Sequence, residues 1–372
     1  MTRDRPIFDA FPELELPWCE LGDFPTPVQT LRPVTEALGL DAEAWVKRDD
    51  LSSDVYGGNK VRTLEVLFAD ALSAGASHIV STGAFGTNHG AATVLHAPRV
   101  GLTPGLLVFP QPASPTALAN FDVLTGSDVE LVSMAHWIEL PFRMAWTRLR
   151  ERARGRSTYV MVPGGATPLG ALGYVNAALE LAHQVQAGEC PAPEAIVLAV
   201  GSTCTSAGLL LGTRIAARRG IGWKIPPKIV SVRVTPWPVT SPVMITRLAA
   251  QTSELLETLT GEHAIGYAEL REGLEVDPHE LGRGYGYATS AGIEAIRLFR
   301  ALDRPRPLEL DTTYSGKAAA SLIRRLRLAA GSSSRGPWVF WSTKSTAPLP
   351  EITGTTEVGW LGRAWRRRAQ RT

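Results

Sequence analysis

Lys60 has the sequence context of a chemically reactive lysine. It ends the tetrapeptide Gly57-Gly58-Asn59-Lys60 and precedes an apolar run typical of a helix. Only six of the 38 Lys and Arg residues are Lys, so the chain makes its ordinary surface charge with Arg. Lys, unlike Arg, can lose its proton and form a Schiff base with a carbonyl, and glycines allow close backbone approach to a bound group. The motif alone favours this role and a turn with an exposed Lys about equally.

Two further segments have the composition of an anion-binding turn between a strand and a helix. The first places Thr87, Asn88 and His89 at the expected start of a helix, where free backbone N–H groups would suit a carboxylate. The second, 199–208, is rich in small and hydroxylated residues, as a phosphate-binding loop would be. The simpler alternatives are an N-cap formed by Thr87 or Asn88, and a tight turn without a ligand.

The phosphate-like segment differs from the familiar nucleotide-binding loops. Gly201-Ser202-Thr203-Cys204-Thr205 fits neither the Walker A pattern nor the GxGxxG pattern. Cys204 has no evident His partner, so a buried and inert thiol is the simpler interpretation than a nucleophile. The glycine-spaced segment 165–171 carries Ala171 where a P-loop requires Lys, which excludes the nucleotide interpretation there.

Three positions in the C-terminal half place hydroxyl groups where a ligand could bind. Tyr285 has glycine on both sides, and Tyr314 precedes Ser315 and a glycine. Core packing of the two phenols is the alternative, because a buried phenol usually keeps a hydrogen-bond partner. Thr343 follows the last predicted strand, and ligands of open α/β sheets bind at the carboxyl ends of strands.

Short β-branched runs alternate with amphipathic segments along the chain, which predicts an α/β fold with parallel sheets. The predicted strands are 78–83, 105–109, 195–200, 229–234 and 338–342. The predicted helices are 61–74, 88–100, 115–126, 170–187, 206–219, 241–259, 289–301 and 316–329. Segments 155–170 and 331–337 have the composition of joints or surface loops.

Length and composition indicate a globular protein of two ordinary domains. The chain has 372 residues, is 44% hydrophobic and carries a formal net charge of +2, which argues against a dedicated nucleic-acid binder. Three cysteines are too few for a disulfide framework or a zinc cluster, so we expect no metal site. No signal peptide or membrane span is evident, and we expect a cytoplasmic protein. The last twelve residues carry five arginines around Trp365, which we expect in a solvated helix or a frayed tail.

The order of these motifs resembles the pyridoxal-phosphate enzymes of the tryptophan-synthase-β-like fold (fold type II). It resembles more closely the D-cysteine desulfhydrase and aminocyclopropane-carboxylate deaminase family, from about residue 47 to about residue 350. The matching segments are 47–51, 57–62, 164–174, 284–286, 292–297 and 314–318. The resemblance implies two open, twisted, mostly parallel sheets flanked by helices. It also implies a large cofactor-binding domain of 1–59 and 166–372, a small substrate-carboxylate domain of 60–165, and a homodimer.

The resemblance implies a role for each matching residue. Lys60 would hold pyridoxal 5'-phosphate and then move the substrate proton. The implied cofactor-binding residues are Asn59, Lys60, Asn88, Gly201, Ser202, Thr203, Cys204, Thr205, Ser315 and Thr343. The implied substrate-binding residues are Thr87, Asn88, His89, Tyr285 and Tyr314. The implied catalytic residues are Lys60, Thr87, Tyr285 and Tyr314.

The chain departs from the family pattern at positions that bear on its substrate. The family usually has Ser at Thr87, Gly-Gly-Thr at 203–205, and, in deaminases, Glu at Ser315. Because Ser315 and Thr343 are neutral, a long-lived carbanion is disfavoured, and we expect β-elimination on a small amino acid. The alternatives are β-replacement that makes a non-protein amino acid, and a cofactor-binding relative without turnover.

Overall fold

The computed structural model describes residues 4–127, 129–302, 308–330, 336–350 and 359–369. The strands in this part of the chain are β1 (Val28–Thr30), β2 (Ala44–Lys47), β3 (His78–Ala84), β4 (Thr103–Phe109), β5 (Glu130–Ser133), β6 (Thr158–Val160), β7 (Ala195–Val200), β8 (Lys228–Arg233), β9 (Leu274–Asp277) and β10 (Trp338–Trp341). The α-helices are α1 (Pro6–Ala10), α2 (Arg32–Ala37), α3 (Lys60–Ser73), α4 (Asn88–His96), α5 (Pro115–Gly126), α6 (Leu140–Ala153), α7 (Pro168–Gln186), α8 (Cys204–Arg218), α9 (Pro242–Thr260), α10 (Tyr267–Glu272), α11 (Ser290–Leu302), α12 (Ser315–Ala329) and α13 (Trp360–Ala369).

The strands form two separate sheets. The larger sheet has six strands in the order β1-β2-β10-β7-β8-β9, and the smaller has four in the order β5-β4-β3-β6. Every strand pair is parallel except β1–β2, which is antiparallel. Two open, mostly parallel sheets are the architecture that the sequence predicts, and this prediction is confirmed.

Both faces of the larger sheet are covered by helices, as the alternation of buried residues along β7 demonstrates. Ile196, Leu198 and Val200 pack in one core with residues of α1, α7, α8 and α9. Val197 and Ala199 pack in another core with residues of α11 and α12. A strand buried on both faces reads as a continuous apolar run, which is how β7 appears in the sequence.

The smaller sheet is also enclosed by helices. Ile79, Leu106 and Val108 face a core built with α3, α4 and α5. Val80 and Leu107 face a smaller core that includes residues of α6. All four strands of this sheet fall within 60–165, the range predicted for a small domain, although the exact division of the chain stays a prediction.

The sequence located most of the main elements, but it missed the 14-residue helix α6 and most of the shorter elements. The predicted strands correspond to β3, β4, β7, β8 and β10, and the predicted helices to α3, α4, α5, α7, α8, α9, α11 and α12. The segment 155–170 is more than a joint, because β6 lies within it and pairs with β3. Most of the predicted loop 331–337 lies outside the described residues. In the described part of the chain, none of the helices combines the length and hydropathy required to cross a membrane.

The C-terminal arginines lie in a helix, α13, and Arg363, Arg366 and Arg367 are exposed, as expected for a solvated helix, but the sequence did not predict that α13 docks on the protein. Trp365 is buried at 8% exposure and packs against Phe85 and Phe121. The sequence showed only the arginines around it, and a single Trp does not reveal which surface it covers. The arginines of α13 therefore flank a docked helix.

Candidate functional site

Lys60 is the first residue of α3 and follows a turn that the larger sheet holds in place. Gly58 N–H donates to Asp49 O (2.8 Å), and Asn59 N–H donates to Thr343 O (3.1 Å). Gly58 has a φ of +86°, and a Cβ there would lie 2.5 Å from Thr343 O, so only glycine fits. Gly57 N–H donates to Ser345 Oγ (2.9 Å), which completes the contacts to the end of β10.

The Lys60 amine lies between two glycine-containing loops. A Cβ at Gly164 would lie 3.6 Å from Lys60 Nζ and 2.2 Å from Ser202 Oγ. The Gly164 backbone therefore lies close to both of these side chains. Burial lowers the pKa of Lys60. A lowered pKa leaves more of the amine in its neutral, nucleophilic and basic form.

A buried set of charges fixes the start of α3 beneath the site. Arg62 donates to Asp49 Oδ1 and to Glu180 Oε1, each at 2.8 Å. Lys47 Nζ also donates to Glu180 Oε1 (2.6 Å), and Tyr174 Oη donates to Asp49 Oδ2 (2.7 Å). The two cations and two carboxylates join β2, α3 and α7, so the helix that carries Lys60 is anchored at its first turn.

The loop 201–205 connects the carboxyl end of β7 to the N-terminus of α8. Among the described residues, Thr203 is the only non-glycine with a positive φ, at 71°. α8 begins at Cys204 without a side-chain cap at Thr203, which leaves backbone N–H groups of its first turn for a ligand. Asn59 Nδ2 donates to Thr205 Oγ1 (3.0 Å), which joins this loop to the lysine turn.

The side chain of Cys204 packs against protein groups and is not directed at a ligand. Its Sγ donates to Gly165 O (3.4 Å) and lies 3.8 Å from Thr63 Oγ1. Burial raises the pKa of the thiol. The side chain is therefore a packed, protonated thiol, and the backbone at this position is what remains for a phosphate.

The loop before α4 combines a helix cap with an unpaired buried imidazole. Thr87 is the N-cap of α4, and its Oγ1 accepts from Gly90 N–H (3.2 Å), while its own proton stays available for a ligand. His89 is only 2% exposed, and neither ring nitrogen has a hydrogen-bond partner among the described residues. Burial, together with the Lys60 charge, lowers the pKa of His89 to about 3, so the ring is neutral.

Two residues that the sequence did not single out fix the orientation of Asn88. Tyr56 Oη donates to Asn88 Oδ1 at 3.0 Å, and Asn120 Nδ2 donates to the same oxygen at 2.6 Å. Asn120 Nδ2 also donates to Gly86 O (3.0 Å). Because these donors occupy the amide oxygen of Asn88, its amide nitrogen is the group left to donate to a ligand. Tyr56 directly precedes the glycines of the lysine turn, whereas nothing in the sequence marks Asn120.

The hydroxyl groups of the two tyrosines that the sequence singled out are in direct contact. Tyr285 Oη and Tyr314 Oη are 2.6 Å apart. A Cβ at Gly201 would lie 2.9 Å from Tyr314 Cε1, so the pair borders the 201–205 loop. Burial raises the pKa of Tyr285 to about 12 and raises that of Tyr314 well above its usual value, so both phenols are protonated near neutral pH. Lys317 Nζ donates to Gly284 O (3.2 Å), which fixes the segment that carries Tyr285.

Ser315 is paired with a carboxylate that sequence reasoning missed. Its Oγ donates to Asp311 Oδ2 (2.9 Å) and accepts from Asp311 N–H (2.7 Å). Asp311 also accepts from the N–H groups of Thr313 and Tyr314, each at 2.7 Å. Because the Ser315 hydroxyl proton is donated to Asp311, Ser315 Oγ can only accept a hydrogen bond from a ligand. The Asp311 carboxylate next to it is negatively charged. Asp311 is not the N-cap of α12, so no capping pattern in the sequence marks this pair.

These contacts bring most of the predicted site residues together. Lys60, Ser202 and His89 surround the backbone of Gly164 and Gly165, because a Cβ at Gly165 would lie 3.4 Å from His89 Cε1. Thr343 joins the cluster through its carbonyl, as described for the lysine turn. The arrangement fits pyridoxal phosphate: a buried amine with a lowered pKa for the aldehyde, free N–H groups at a 15-residue helix for the phosphate, and a buried unpaired imidazole for a further ligand.

Comparisons with known proteins agree with this geometry. Residues 19–343 match the family described as pyridoxal-phosphate dependent enzyme. The D-cysteine desulfhydrase of Salmonella paratyphi C (strain RKS4594) is 32% identical over 335 residues, which cover 84% of this chain and 88% of the relative. The crystal structure of an ACC deaminase homologue superposes with a TM-score of 0.73 at 28% identity, covering 93% of this chain and 96% of that one. A fungal L-serine ammonia-lyase from Rhizomucor miehei shares the fold, with a TM-score of 0.55 at 17% identity. The match covers 94% of this chain and 99% of that one.

Proposed function

Because the chain belongs to the pyridoxal-phosphate-dependent enzyme family, we propose that it removes a β-substituent from a small amino acid, as a D-cysteine desulfhydrase does. The observation that carries the proposal is the lowered pKa of Lys60 beside the neutral, unpaired His89. The first supplies a base, and the second a donor for a substrate carboxylate.

Each group of the site has a place in this reaction. Pyridoxal phosphate, when bound, supplies an aldehyde that combines with the substrate amine and a ring that stabilises negative charge at the substrate Cα. Lys60 Nζ takes the Cα proton, which requires its neutral form. The residues 87–89 hold the substrate carboxylate, through the Thr87 hydroxyl, the His89 ring and the N-terminus of α4.

The remaining residues hold the cofactor and the departing group. The loop 201–205 binds the phosphate, and the Asn88 amide nitrogen, oriented by Tyr56 and Asn120, donates to the cofactor ring. Tyr285 and Tyr314 face the substrate as protonated phenols and can donate to the departing group. Loss of the Cα proton and the β-substituent leaves an unsaturated amine, which water converts into a 2-oxo acid and ammonia.

Partners and location are proposed on the same basis. The substrate is a small amino acid, and the enzyme acts as a cytoplasmic homodimer; the family resemblance supports the substrate class and the homodimer. The proposed domain division is 1–59 with 166–372 for the cofactor, and 60–165 for the substrate carboxylate. The location of the phosphate loop on the larger sheet and of residues 87–89 on the smaller one supports this division.

A screen of D- and L-amino acids against the purified holoenzyme tests the proposal. Borohydride reduction followed by peptide mapping should place the pyridoxyl group on Lys60, and a label on another lysine would overturn its role. At least one small amino acid with a thiol, hydroxyl or chloride at Cβ should yield a 2-oxo acid and ammonia, and Lys60→Ala should abolish this. Incorporation of an added thiol into a new amino acid would instead indicate β-replacement, and binding without turnover a non-catalytic relative.

A further inference from the structure

Helix α13 lies outside the part of the chain that matches the enzyme family, 19–343, and yet it docks beside the candidate site. The Trp365 ring lies 5.3 Å from that of Phe85 and 5.0 Å from that of Phe121, measured between ring centroids. Phe85 and Phe121 are themselves 5.4 Å apart, so the three rings form one closed cluster. The docking face of α13 therefore centres on Trp365.

Two polar contacts also connect α13 to this surface. Trp365 Nε1 donates to Gln111 O (2.5 Å), and Arg366 Nη2 pairs with Asp122 Oδ1 (2.8 Å). In contrast, Trp360 on the same helix is 68% exposed. A directional hydrogen bond donated by a buried indole indicates that Trp365 occupies a specific position on this surface.

Phe85 connects this cluster to the residues that are proposed to bind the substrate carboxylate. It directly follows β3, is fully buried, and stands two residues before the helix cap Thr87. The next residue, Gly86, packs so tightly on α5 that a Cβ would lie 2.4 Å from Ala117 Cα. The loop 85–89 therefore rests on α5 through Gly86 and on Trp365 through the Phe85 ring.

We propose that α13 holds the loop 85–89 in its carboxylate-binding conformation, with Trp365 as a positioning residue for the substrate. This inference rests on the proposed function, in which residues 87–89 bind the carboxylate. Loss of the indole would leave a void behind Phe85 into which that ring and the following backbone can relax. The Thr87 hydroxyl, the His89 ring and the N–H groups of α4 would then no longer converge on one anion.

Two substitutions at Trp365 and one at Trp360 test the proposal on the holoenzyme. The binding probe is acetate, followed through the visible spectrum of the bound cofactor, with KM and kcat for the amino acid found in the screen. Trp365→Ala should raise the acetate Kd and the KM by about 10- to 100-fold, since small misplacements of binding groups cost that much. Trp365→Phe should have a smaller effect in the same direction, and Trp360→Ala should have none.

Two further readouts separate positioning from general destabilisation. Amide hydrogen exchange of the peptide 84–96 should be faster in Trp365→Ala than in wild type, while cofactor retention and exchange in β7 and β8 stay unchanged. If Trp365→Ala fails to fold, Trp365→Phe carries the test, because it keeps an aromatic ring in the cluster. Wild-type acetate binding and KM in the folded Trp365 variants would overturn the proposal.

Variants within the loop distinguish a failure of this inference from a failure of the proposed function. Thr87→Ala and His89→Asn should weaken acetate binding if residues 87–89 hold the carboxylate. If they do not, the proposed carboxylate site is wrong, and the inference falls with it. If they do and both Trp365 variants bind acetate normally, only the role of α13 is wrong.

Discussion

At the scale of single residues, the loop 201–205 keeps a conformation that its sequence does not favour. Thr203 has a left-handed φ of 71°, which costs a residue with a side chain about 1–3 kcal/mol. Such strain persists where surrounding contacts over-determine the backbone, and here Thr205 on the same loop is tied to Asn59 of the lysine turn. The conformation that exposes N–H groups to a phosphate is thus held by contacts to the residue before Lys60.

We expect Thr205→Val to weaken cofactor retention far more than it lowers the thermal stability of the apoprotein. The change removes a hydroxyl that accepts from Asn59 and can donate to the phosphate. The loss of a hydrogen bond to a charged group should raise the cofactor Kd by about 10- to 100-fold, or roughly 1.5–3 kcal/mol. Thr213→Val, on the same helix and fully buried away from the loop, is the control. Equal cofactor affinity in both variants would contradict the phosphate role.

His89 should make the protein less stable as the pH falls. Its native pKa is about 3 against the usual 6.5, so between these values the unfolded chain binds a proton that the native chain does not. The free energy of unfolding should fall by about 1.4 kcal/mol for each pH unit below 6.5, until the native ring itself titrates. His89→Asn should remove this contribution between pH 7.5 and 5.5, measured by denaturant unfolding. If the free energy of unfolding changes with pH equally in the variant and in wild type, the pKa of His89 is the same in the native and the unfolded protein.

At the scale of elements, the site depends on how α3 is seated. Its first turn carries Lys60, and Arg62 ties that turn to Asp49 after β2 and to Glu180 on α7. All the charges of this network are nearly fully buried, so each depends on its partners for compensation. Burial opposes the charged form of Glu180, but Arg62 and Lys47 prevail and hold its pKa well below the usual range.

Glu180→Gln should lower the free energy of unfolding by about 3–5 kcal/mol, because two buried cations would then share only Asp49. The contribution of the Glu180 charge should be complete above about pH 4.3, the usual pKa of Glu, and lost as pH falls through the depressed native value. Glu269→Gln breaks an exposed pair with Arg218 and should cost at most about 1 kcal/mol. A cost for Glu180→Gln no larger than that control would show that the network contributes little to the seating of α3.

At the scale of the whole molecule, the site is assembled from segments of both sheets. The lysine turn is hydrogen-bonded to residues that follow β10, and the loop 201–205 follows β7, both in the larger sheet, while Asn88 and His89 follow β3 of the smaller one. Any ligand that touches both groups restricts how the two sheets can separate. Cofactor binding should therefore stabilise the whole protein as well as the site.

Removal of the cofactor should lower the melting temperature and accelerate amide exchange together in 57–60, 163–165 and 201–205. At a free cofactor concentration of 100 times Kd, the stabilisation should be about 2.7 kcal/mol. Pyridoxal, which lacks the phosphate, is the matched ligand and should stabilise the apoprotein much less at the same concentration. Equal stabilisation by both ligands would mean that the phosphate makes no net contribution and that the loop 201–205 serves another purpose.

The sequence by itself determined the layered α/β architecture and the segments that carry the site. Hydrophobic period and strand-helix alternation are local signals, and they sufficed for long elements such as β7 and α7. The glycines around Lys60 and the small residues of 201–205 could also be recognised locally, because close backbone approach requires particular residue types. Short strands such as β6 were missed, because three residues carry no period and are stabilised by pairing with β3.

Only the tertiary structure decided which side chains support the site residues. Asn120 orients Asn88 from 32 residues away, and Asp311 supports Ser315 through a turn whose geometry a single sequence does not specify. Trp365 reaches Phe85 across most of the chain length, although the sequence around it indicated only a basic tail. These contacts depend on the packing of separate elements against one another, and a pattern along one segment holds no information about its neighbours in space.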